Sequence, residues 1–332
     1  MTDDVGNLYS CGLRTDRKYG AGGRLLEFKG TKYSYDEEGQ LIEKVDPDKT
    51  RWRYEYYDNG MMSKVVRPDG QEVVFTYDSM GRRIEKRFNG VVYRYIWDGN
   101  QILHEWAAES KPGEQEGNPE SAALAAPQGA AEKFKYLLAQ PAVAQEPAPA
   151  SLTTWVFEDG TFRPAAKITV NGTYSIITDH LGTPVEMYDA HGERVWAAEL
   201  DIYGDIRGIY LRGKRSDCPF RYPGQYEDVE TGLYYNRFRY YSPHEGIYTQ
   251  QDPIGLAGNN PTLYGYVGDP NTEVDVFGLS KSGCSINRSV RYFVTREDRV
   301  DVKLVEALKK LPRKPSTVRL TGFLSYQSVG RT

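Results

Sequence analysis

Cysteine and histidine are both scarce in this sequence, and neither residue type forms a recognisable site. Cys11, Cys218 and Cys284 lie far apart, without the spacing of a metal site or of a disulfide framework, so packing residues or free thiols are expected. No histidine has a cysteine or a second histidine at ligand spacing, so the sequence predicts no metal centre. The four histidines are His104, His180, His191 and His244.

Several other functional signatures are missing. No hydrophobic run reaches the length of a membrane-spanning helix, and the polar start Met1-Thr2-Asp3-Asp4 does not have the pattern of a signal peptide. There is no glycine-rich phosphate loop followed by Lys-Ser or Lys-Thr, and no nucleophile elbow. The sequence therefore predicts no membrane span and no cofactor, and it gives no support to nucleotide hydrolysis or serine-hydrolase chemistry.

Charge of one sign is not in excess either, because 42 basic residues face 46 acidic ones. A net charge of -4 creates no uniform field that would attract nucleic acid to the whole molecule. Tyrosine, in contrast, is abundant, with 26 residues against 11 phenylalanines. Its amphipathic ring suits a pleated surface with one wet side, so the composition favours strands.

A tyrosine-aspartate unit recurs through the first hundred residues, at Tyr35-Asp36, Tyr57-Asp58 and Tyr77-Asp78. A glycine follows shortly after each unit. The residues beyond it alternate between polar and apolar, which is the pattern of a half-buried strand. Aspartate and glycine supply the turn between strands. Repeats of this length hide their apolar faces by lying side by side, so the sequence predicts a mostly β fold with one large, coiling sheet.

Two nearly matching pentapeptides place carboxylates at equivalent positions, Asp252-Pro253-Ile254-Gly255-Leu256 and Asp275-Val276-Phe277-Gly278-Leu279. Two carboxyl groups held close together cannot both ionise cheaply, so one keeps a proton and the pair can act as general base and general acid on one water molecule. The alternative is that both aspartates only cap turns, the commonest role of an aspartate before proline or beside glycine. The residues alone leave both interpretations open.

The tyrosine-aspartate repeats and the ordered motifs between residues 220 and 279 together resemble the Rhs and YD-repeat family of polymorphic toxins. The motifs are Phe220-Arg221-Tyr222-Pro223-Gly224-Gln225-Tyr226-Glu227-Asp228, Gly232-Leu233-Tyr234-Tyr235-Asn236-Arg237-Phe238-Arg239-Tyr240-Tyr241, the first pentapeptide and Tyr264-Gly265-Tyr266. The resemblance implies a sheet that spirals into part of a hollow cocoon-like shell around a C-terminal cargo. It also implies a single-turnover aspartyl autoprotease, with Asp252 and Asp275 as catalytic residues, that cuts between Leu279 and Ser280.

Two positions depart from the family pattern. Val276 stands in the second pentapeptide where proline is usual, and Ile247 follows Glu245-Gly246 where an arginine is common. A missing arginine is expected to weaken the structure or the positioning of the cleaved bond, so slow or absent cleavage stays open.

The sequence divides into five predicted segments. A YD-repeat shell segment covers residues 1–110, a proline- and alanine-rich insertion covers 111–150, and further repeats cover 151–219. The self-cleavage region covers 220–279, and a variable cargo covers 280–332. The insertion is expected to be a surface loop of the shell, with a partner-binding loop as the alternative.

The last segment is short and locally basic. Apolar residues at helical spacing predict an amphipathic helix over residues 300–311, whose charges suit a solvated face, with nucleic-acid contact as the alternative. Its sequence faintly resembles the opening of some ADP-ribosyltransferase toxins, which implies NAD contact by Arg319. The downstream parts of such enzymes are missing, so this resemblance implies a truncated transferase.

The resemblance also implies partners and a location: the protein's own tail as encapsulated cargo, a cognate immunity protein, a component of a secretion apparatus, and delivery out of a bacterial cell. The competing function is a structural or cell-surface protein that recognises carbohydrate or another cell through its β-repeats and exposed tyrosines, without cleavage.

Overall fold

The computed structural model describes residues 2–10, 12–109, 149–208, 211–280 and 282–283. Among them, fifteen strands form one antiparallel sheet in which every strand pairs with its neighbours along the chain. β1 and β15 are its two edges, so the sheet is open. Its strands are β1 (Arg17–Tyr19), β2 (Leu25–Phe28), β3 (Thr31–Tyr35), β4 (Leu41–Val45), β5 (Arg51–Tyr56), β6 (Met62–Val66), β7 (Glu72–Tyr77), β8 (Arg83–Phe88), β9 (Val91–Asp98), β10 (Gln101–Glu109), β11 (Thr153–Phe157), β12 (Pro164–Thr169), β13 (Gly172–Thr178), β14 (Pro184–Tyr188) and β15 (Arg194–Ala197).

The chain then forms two small antiparallel sheets. The first contains β16 (Tyr226–Asp228), β17 (Leu233–Asn236), β18 (Arg239–Ser242) and β19 (Ile247–Tyr248), and the second contains β20 (Glu273–Val274) and β21 (Ser282–Gly283). Short 3-10 helices within the described residues span Ala21–Gly23, Arg215–Asp217 and Gly255–Gly258. The predicted mostly β fold with one large sheet is therefore confirmed, and the strands of that sheet are antiparallel.

The repeated aspartates make the turns of the large sheet. In the turn between β7 and β8, Oδ1 of Asp78 accepts hydrogen bonds from the backbone N–H groups of Met80 (3.0 Å) and Arg82 (2.8 Å). Asp179 and Asp189 bind the backbone of their own turns in the same way. Each carboxylate satisfies donors that the strands leave unpaired at the turn, which explains why the aspartate recurs with every repeat.

The segment after the large sheet, residues 218–280, lies against one face of that sheet. Tyr77 of the sheet and Tyr240 of the segment share a hydrogen bond of 2.9 Å between their hydroxyl groups. The ring centroids of Trp155 and Phe220 lie 4.8 Å apart. Tyrosines can line this interface because each ring buries apolar surface while its hydroxyl group finds a polar partner. The core of the described structure is therefore shared by the repeats and the segment that follows them.

A buried ionic cluster joins the segment to β8. Asp228 forms ion pairs with Arg83 and with Lys86, whose Nζ lies 3.1 Å from Oδ1 of Asp228. Lys86 also pairs with Glu230 at 2.8 Å. Arg83 and Asp228 are both fully buried, so each charge depends on the other for compensation.

The two segments with distinct composition lie largely outside the described residues. β10 and β11, which flank the predicted insertion at 111–150, pair directly with each other, so the sheet continues across it. The predicted helix over residues 300–311 and Arg319 lie outside the described residues, as does the rest of the predicted cargo beyond residue 283. In the part of the chain that the structure describes, no helix is long and apolar enough to cross a membrane.

Candidate active site

Asp252 is buried in the turn after β19 and has two distinct carboxylate oxygens. Its Oδ1 accepts the backbone N–H of Ile254 at 2.9 Å, which is the turn role that the sequence left open. Its Oδ2 instead lies 2.9 Å from Nη2 of Arg239. One oxygen therefore holds the turn, and the other faces a charged centre.

Asp275 follows β20 and is almost completely buried. Its Oδ1 accepts the backbone N–H groups of Leu279 (3.0 Å) and Ser280 (3.2 Å). Its Oδ2 accepts the hydroxyl of Tyr248 at 2.9 Å and Nη2 of Arg239 at 3.3 Å. The carboxyl group of Asp275 therefore lies directly against the predicted scissile peptide.

Arg239 joins the two aspartates, although the sequence reasoning assigned it no role. The same nitrogen, Nη2, contacts both carboxylates, while Nε donates to the carbonyl of Gly278 at 2.5 Å. The guanidinium lies over the ring of Tyr248, 3.7 Å from the ring centroid. One signal in the sequence could have found Arg239. It is the first residue of a strand that continues with Tyr240-Tyr241, and all residues of this strand are buried. A cation in a fully buried strand requires buried acids nearby.

The backbone brings the predicted scissile bond to this centre. β20 and β21 pair, with Val274 opposite Ser282, so the Leu279–Ser280 bond lies in the connection between two hydrogen-bonded strands. Gly258 lies next to this bond. A Cβ atom added to Gly258 would overlap the carbonyl oxygen of Leu279 and lie 2.9 Å from Oδ2 of Asp252. The Leu279 carbonyl and Asp252 thus share the small space that glycine leaves open.

Burial is the largest influence on both carboxyl groups and raises the pKa of Asp252 and of Asp275 above the ordinary value. The positive charge of Arg239 acts in the opposite direction and lowers both pKa values. Two buried carboxyl groups and one guanidinium are neutral only if one carboxyl group keeps its proton, because a net charge at this depth is costly. The site therefore suits one ionised and one protonated aspartate.

The two departures from the family pattern lie close to the site without entering it. Val276 is buried beside Asp275, and its backbone lies against Gly224. Ile247 is buried in β19, opposite Ser242 of β18 and next to Tyr248, the residue that binds Asp275. Both side chains are apolar, so neither forms a hydrogen bond or an ion pair with a carboxyl group of the pair.

Gly224 offers a test of how closely this backbone must pack. Its φ of +90° is in the left-handed region, and a Cβ there would fall within 2.6 Å of the Val276 α-carbon. We expect Gly224→Ala to displace the strand end that carries Asp275 and to slow any cleavage at Leu279 at least tenfold. Gly232→Ala is the matched control, because Gly232 also has positive φ (+70°) but nothing within 4 Å of its built Cβ. Equal cleavage of both variants, measured by intact mass, would contradict this expectation.

Two family models and several curated proteins match this chain. Residues 3–108 match the family model described as Teneurin YD-shell, and residues 174–208 match the model described as RHS protein. The chain is 30% identical to the double-stranded DNA deaminase toxin A of Burkholderia cenocepacia, across 84% of this chain and 19% of that protein. It is 33% identical to the toxin protein Tse5 of Pseudomonas aeruginosa, across 78% of this chain and 19% of that protein.

The chain thus spans about a fifth of the length of these curated relatives. Among solved structures, the Tc holotoxin pore of Photorhabdus luminescens aligns with 80% of this chain and 11% of its own, at 17% sequence identity and a TM-score of 0.41.

Proposed function

Because the chain belongs to the Rhs and YD-repeat family of polymorphic toxins, we propose that its described part is the end of a toxin delivery shell that cuts its own chain between Leu279 and Ser280. The observation that carries the proposal is the contact of Asp275 with the N–H of Ser280, the nitrogen that would leave, at 3.2 Å. The bond and the carboxyl pair belong to one chain, so the reaction needs no diffusion and turns over once.

The hydrogen bonds suggest which aspartate is ionised. Asp275 accepts four donors, from Leu279, Ser280, Tyr248 and Arg239, and each of them stabilises the carboxylate form. From the described part of the chain, Asp252 accepts the N–H of Ile254 and the contact from Arg239 and no other donor. We therefore place the retained proton on Asp252, whose Oδ2 borders the same space beside Gly258 as the Leu279 carbonyl oxygen, and the negative charge on Asp275.

The reaction then follows from these positions. Asp275 takes a proton from a water molecule while the oxygen of that water attacks the carbonyl carbon of Leu279. At the same time Asp252 gives its proton to the carbonyl oxygen of Leu279. When the carbon–nitrogen bond breaks, Asp275 passes its proton to the nitrogen of Ser280, and Asp252 regains one from the collapsing intermediate. The products are a carboxylic acid at Leu279 and an amine at Ser280, with both aspartates restored.

Arg239 is proposed as a positioning residue in this reaction. It binds the Gly278 carbonyl next to the scissile bond and lowers the pKa of both aspartates. We expect Arg239→Gln to slow cleavage by about 10²-fold and to move the acidic limb of the pH–rate profile to higher pH, since Asp275 would then hold its proton more tightly.

The pH profile separates this role from simple structural support. It is measured by stopping cell-free synthesis early, diluting into buffers across the acidic to neutral range, and following the fragments with time. Arg53→Gln, at an exposed position of β5, controls for loss of a positive charge. If Arg239→Gln cleaves more slowly but the acidic limb of its pH–rate profile does not move, the electrostatic role of Arg239 is excluded.

The remaining features of the delivery system are proposed on the same basis. The segment from Ser280 onward is the released cargo, held by the shell before delivery from a bacterial cell through a secretion apparatus, with an immunity protein protecting the producer. The intact mass of the full chain tests the central step, because cleavage yields two fragments that meet between Leu279 and Ser280. A single uncleaved mass of 37.7 kDa would instead favour a recognition protein that keeps its tail.

A further inference from the structure

Tyr248, whose hydroxyl group binds Asp275, is itself held by a third side chain, Asn236 at the end of β17. Nδ2 of Asn236 donates to the hydroxyl oxygen of Tyr248 at 2.7 Å and to the backbone carbonyl of Asp275 at 2.9 Å. Asn236 and Tyr248 are both fully buried, and Asp275 is nearly so. The three residues therefore form a ring of hydrogen bonds in the interior, beside the proposed cleavage centre.

The partners of Asn236 fix the orientation of its amide group. The carbonyl oxygen of Asp275 can only accept a hydrogen bond, so the NH₂ group of Asn236 must face it. In that orientation Oδ1 of Asn236 is buried without a hydrogen-bond partner among the described residues. Turning the amide round would instead place Oδ1 against the carbonyl oxygen and break the bond that the carbonyl accepts. The two bonds of Nδ2 therefore decide how the amide lies.

The amide of Asn236 in turn sets the direction of the Tyr248 hydroxyl proton. A phenol has one proton to donate, and the oxygen of Tyr248 already accepts from Nδ2. Oδ2 of Asp275, 2.9 Å away, is the acceptor that the described residues offer to this proton. Tyr248 is therefore a donor to Asp275, and such a bond stabilises the carboxylate form.

A protonated Asp275 would have no favourable place for its proton. On Oδ1 the proton would face the N–H groups of Leu279 and Ser280, which are themselves donors. On Oδ2 it would point at the hydroxyl oxygen of Tyr248, which would then accept two hydrogen bonds while its own proton lost its acceptor. Without the bond from Asn236, the Tyr248 hydroxyl could turn and accept that proton instead.

The other groups facing Asp275 come from neighbouring elements. Arg239 of β18 contacts Oδ2 of Asp275 at 3.3 Å and also binds Asp252, and the hydroxyl of Tyr266 accepts the Asp275 N–H at 3.5 Å. The positive charge of Arg239 favours ionisation of Asp275, whereas a negative charge on Asp252 would oppose it. Burial and the charge of Asp275 raise the pKa of Tyr248 well above its ordinary value, so the phenol keeps its proton and stays a donor.

We propose that Asn236 and Tyr248 are positioning residues that decide which aspartate of the pair acts as the base. Asn236 holds the Tyr248 hydroxyl as a donor, that donor keeps Asp275 ionised, and the retained proton stays on Asp252. This assignment rests on the proposed self-cleavage, and it adds to that reaction two residues that act through Asp275.

The acidic limb of the pH–rate profile for cleavage tests the arrangement, because the base works only when it is ionised. Tyr248→Phe removes the donor, and Asn236→Leu frees the hydroxyl to turn. We expect each change to move the limb by about one unit to higher pH, so that cleavage is about tenfold slower along the limb. Cleavage on the plateau above the limb should change little, whereas a damaged fold would slow it at every pH.

A double variant shows whether Asn236 acts through Tyr248. In a chain that already carries Tyr248→Phe, Asn236→Leu should move the limb no further. Tyr241→Phe is the matched control and should keep the unmodified profile. Its ring centroid lies 5.6 Å from that of Tyr248, but its hydroxyl donates to the backbone carbonyl of Tyr203 and not to an aspartate. An unmoved limb in both single variants, equal slowing at every pH, or shifts that add in the double variant would overturn the proposal.

A direct titration separates this proposal from the cleavage reaction. If the unmodified chain stays at its full-length mass, the proposed cleavage is wrong, and the ionisation of Asp275 is then followed in the intact chain by NMR of isotopically labelled aspartate carboxyl groups. Asp275→Asn identifies the signal. We expect Tyr248→Phe and Asn236→Leu each to raise the midpoint of that signal by about one pH unit. An unmoved midpoint would overturn the positioning role as well, whereas cleavage with an unmoved limb would overturn the positioning role alone.

Discussion

Replacing Asp275 with asparagine is expected to leave the chain at its full-length mass, while the unmodified chain yields fragments that meet between Leu279 and Ser280. An amide cannot take a proton from water, and it places an NH₂ group among donors that all require an acceptor. The loss should be about 10³-fold or more in cleavage rate, because Asp275 is proposed both to activate the water and to protonate the leaving nitrogen.

Asp252→Asn should also prevent cleavage on the time scale of expression, for a different reason. Asparagine can still donate a hydrogen bond towards the Leu279 carbonyl, but it cannot transfer a proton to it. The Asp252 variant is therefore expected to retain more residual cleavage than the Asp275 variant. This order tests the assignment of the retained proton to Asp252.

The matched control is Asp189→Asn, which changes a partly exposed turn aspartate between β14 and β15. It should cleave like the unmodified chain. Intact mass spectrometry of all four proteins decides the matter. Full cleavage in either site variant would exclude the carboxyl pair, and full-length mass in the unmodified chain would show that no cleavage occurs.

Asp228→Asn is expected to produce the largest loss of stability among single substitutions at the interface between the sheet and the segment after it. The change leaves Arg83 fully buried without its anion and removes one of the two anions that Lys86 contacts. Removing one member of a buried ion pair typically costs about 3–5 kcal/mol, because the remaining charge is uncompensated. We expect a loss of that size in the free energy of unfolding, measured by denaturant titration.

A second substitution separates lost compensation from lost packing. Arg83→Met in the Asp228→Asn background removes the stranded cation, and Lys86 keeps Glu230 at 2.8 Å. The double variant should therefore be more stable than the sum of the single effects predicts. Arg51→Met is the surface control: its ion pair with Glu43 is partly exposed, and its loss should cost under about 1 kcal/mol. An Asp228→Asn variant as stable as this control would contradict the role of the cluster.

The strands, turns and candidate aspartates could be predicted because their signals are local. Asp78 and the residues it caps lie within five positions of one another, and strand alternation is visible within a single repeat. The two aspartates stood out because their pentapeptides match. Arg239 and Tyr248 could not be assigned in this way, because their partners lie far along the chain and nothing in their own sequence neighbourhood names those partners.

The amino-acid sequence by itself determined the mostly β fold and the family, and it singled out Asp252 and Asp275 as candidates, because turn chemistry, strand period and ordered motifs are properties of neighbouring residues. Only the tertiary structure decided what those groups meet. It placed Arg239 between Asp252 and Asp275, and it directed Asp275 to the nitrogen of Ser280. Charge compensation in a buried interior depends on distances through space, and strand pairing and packing set those distances.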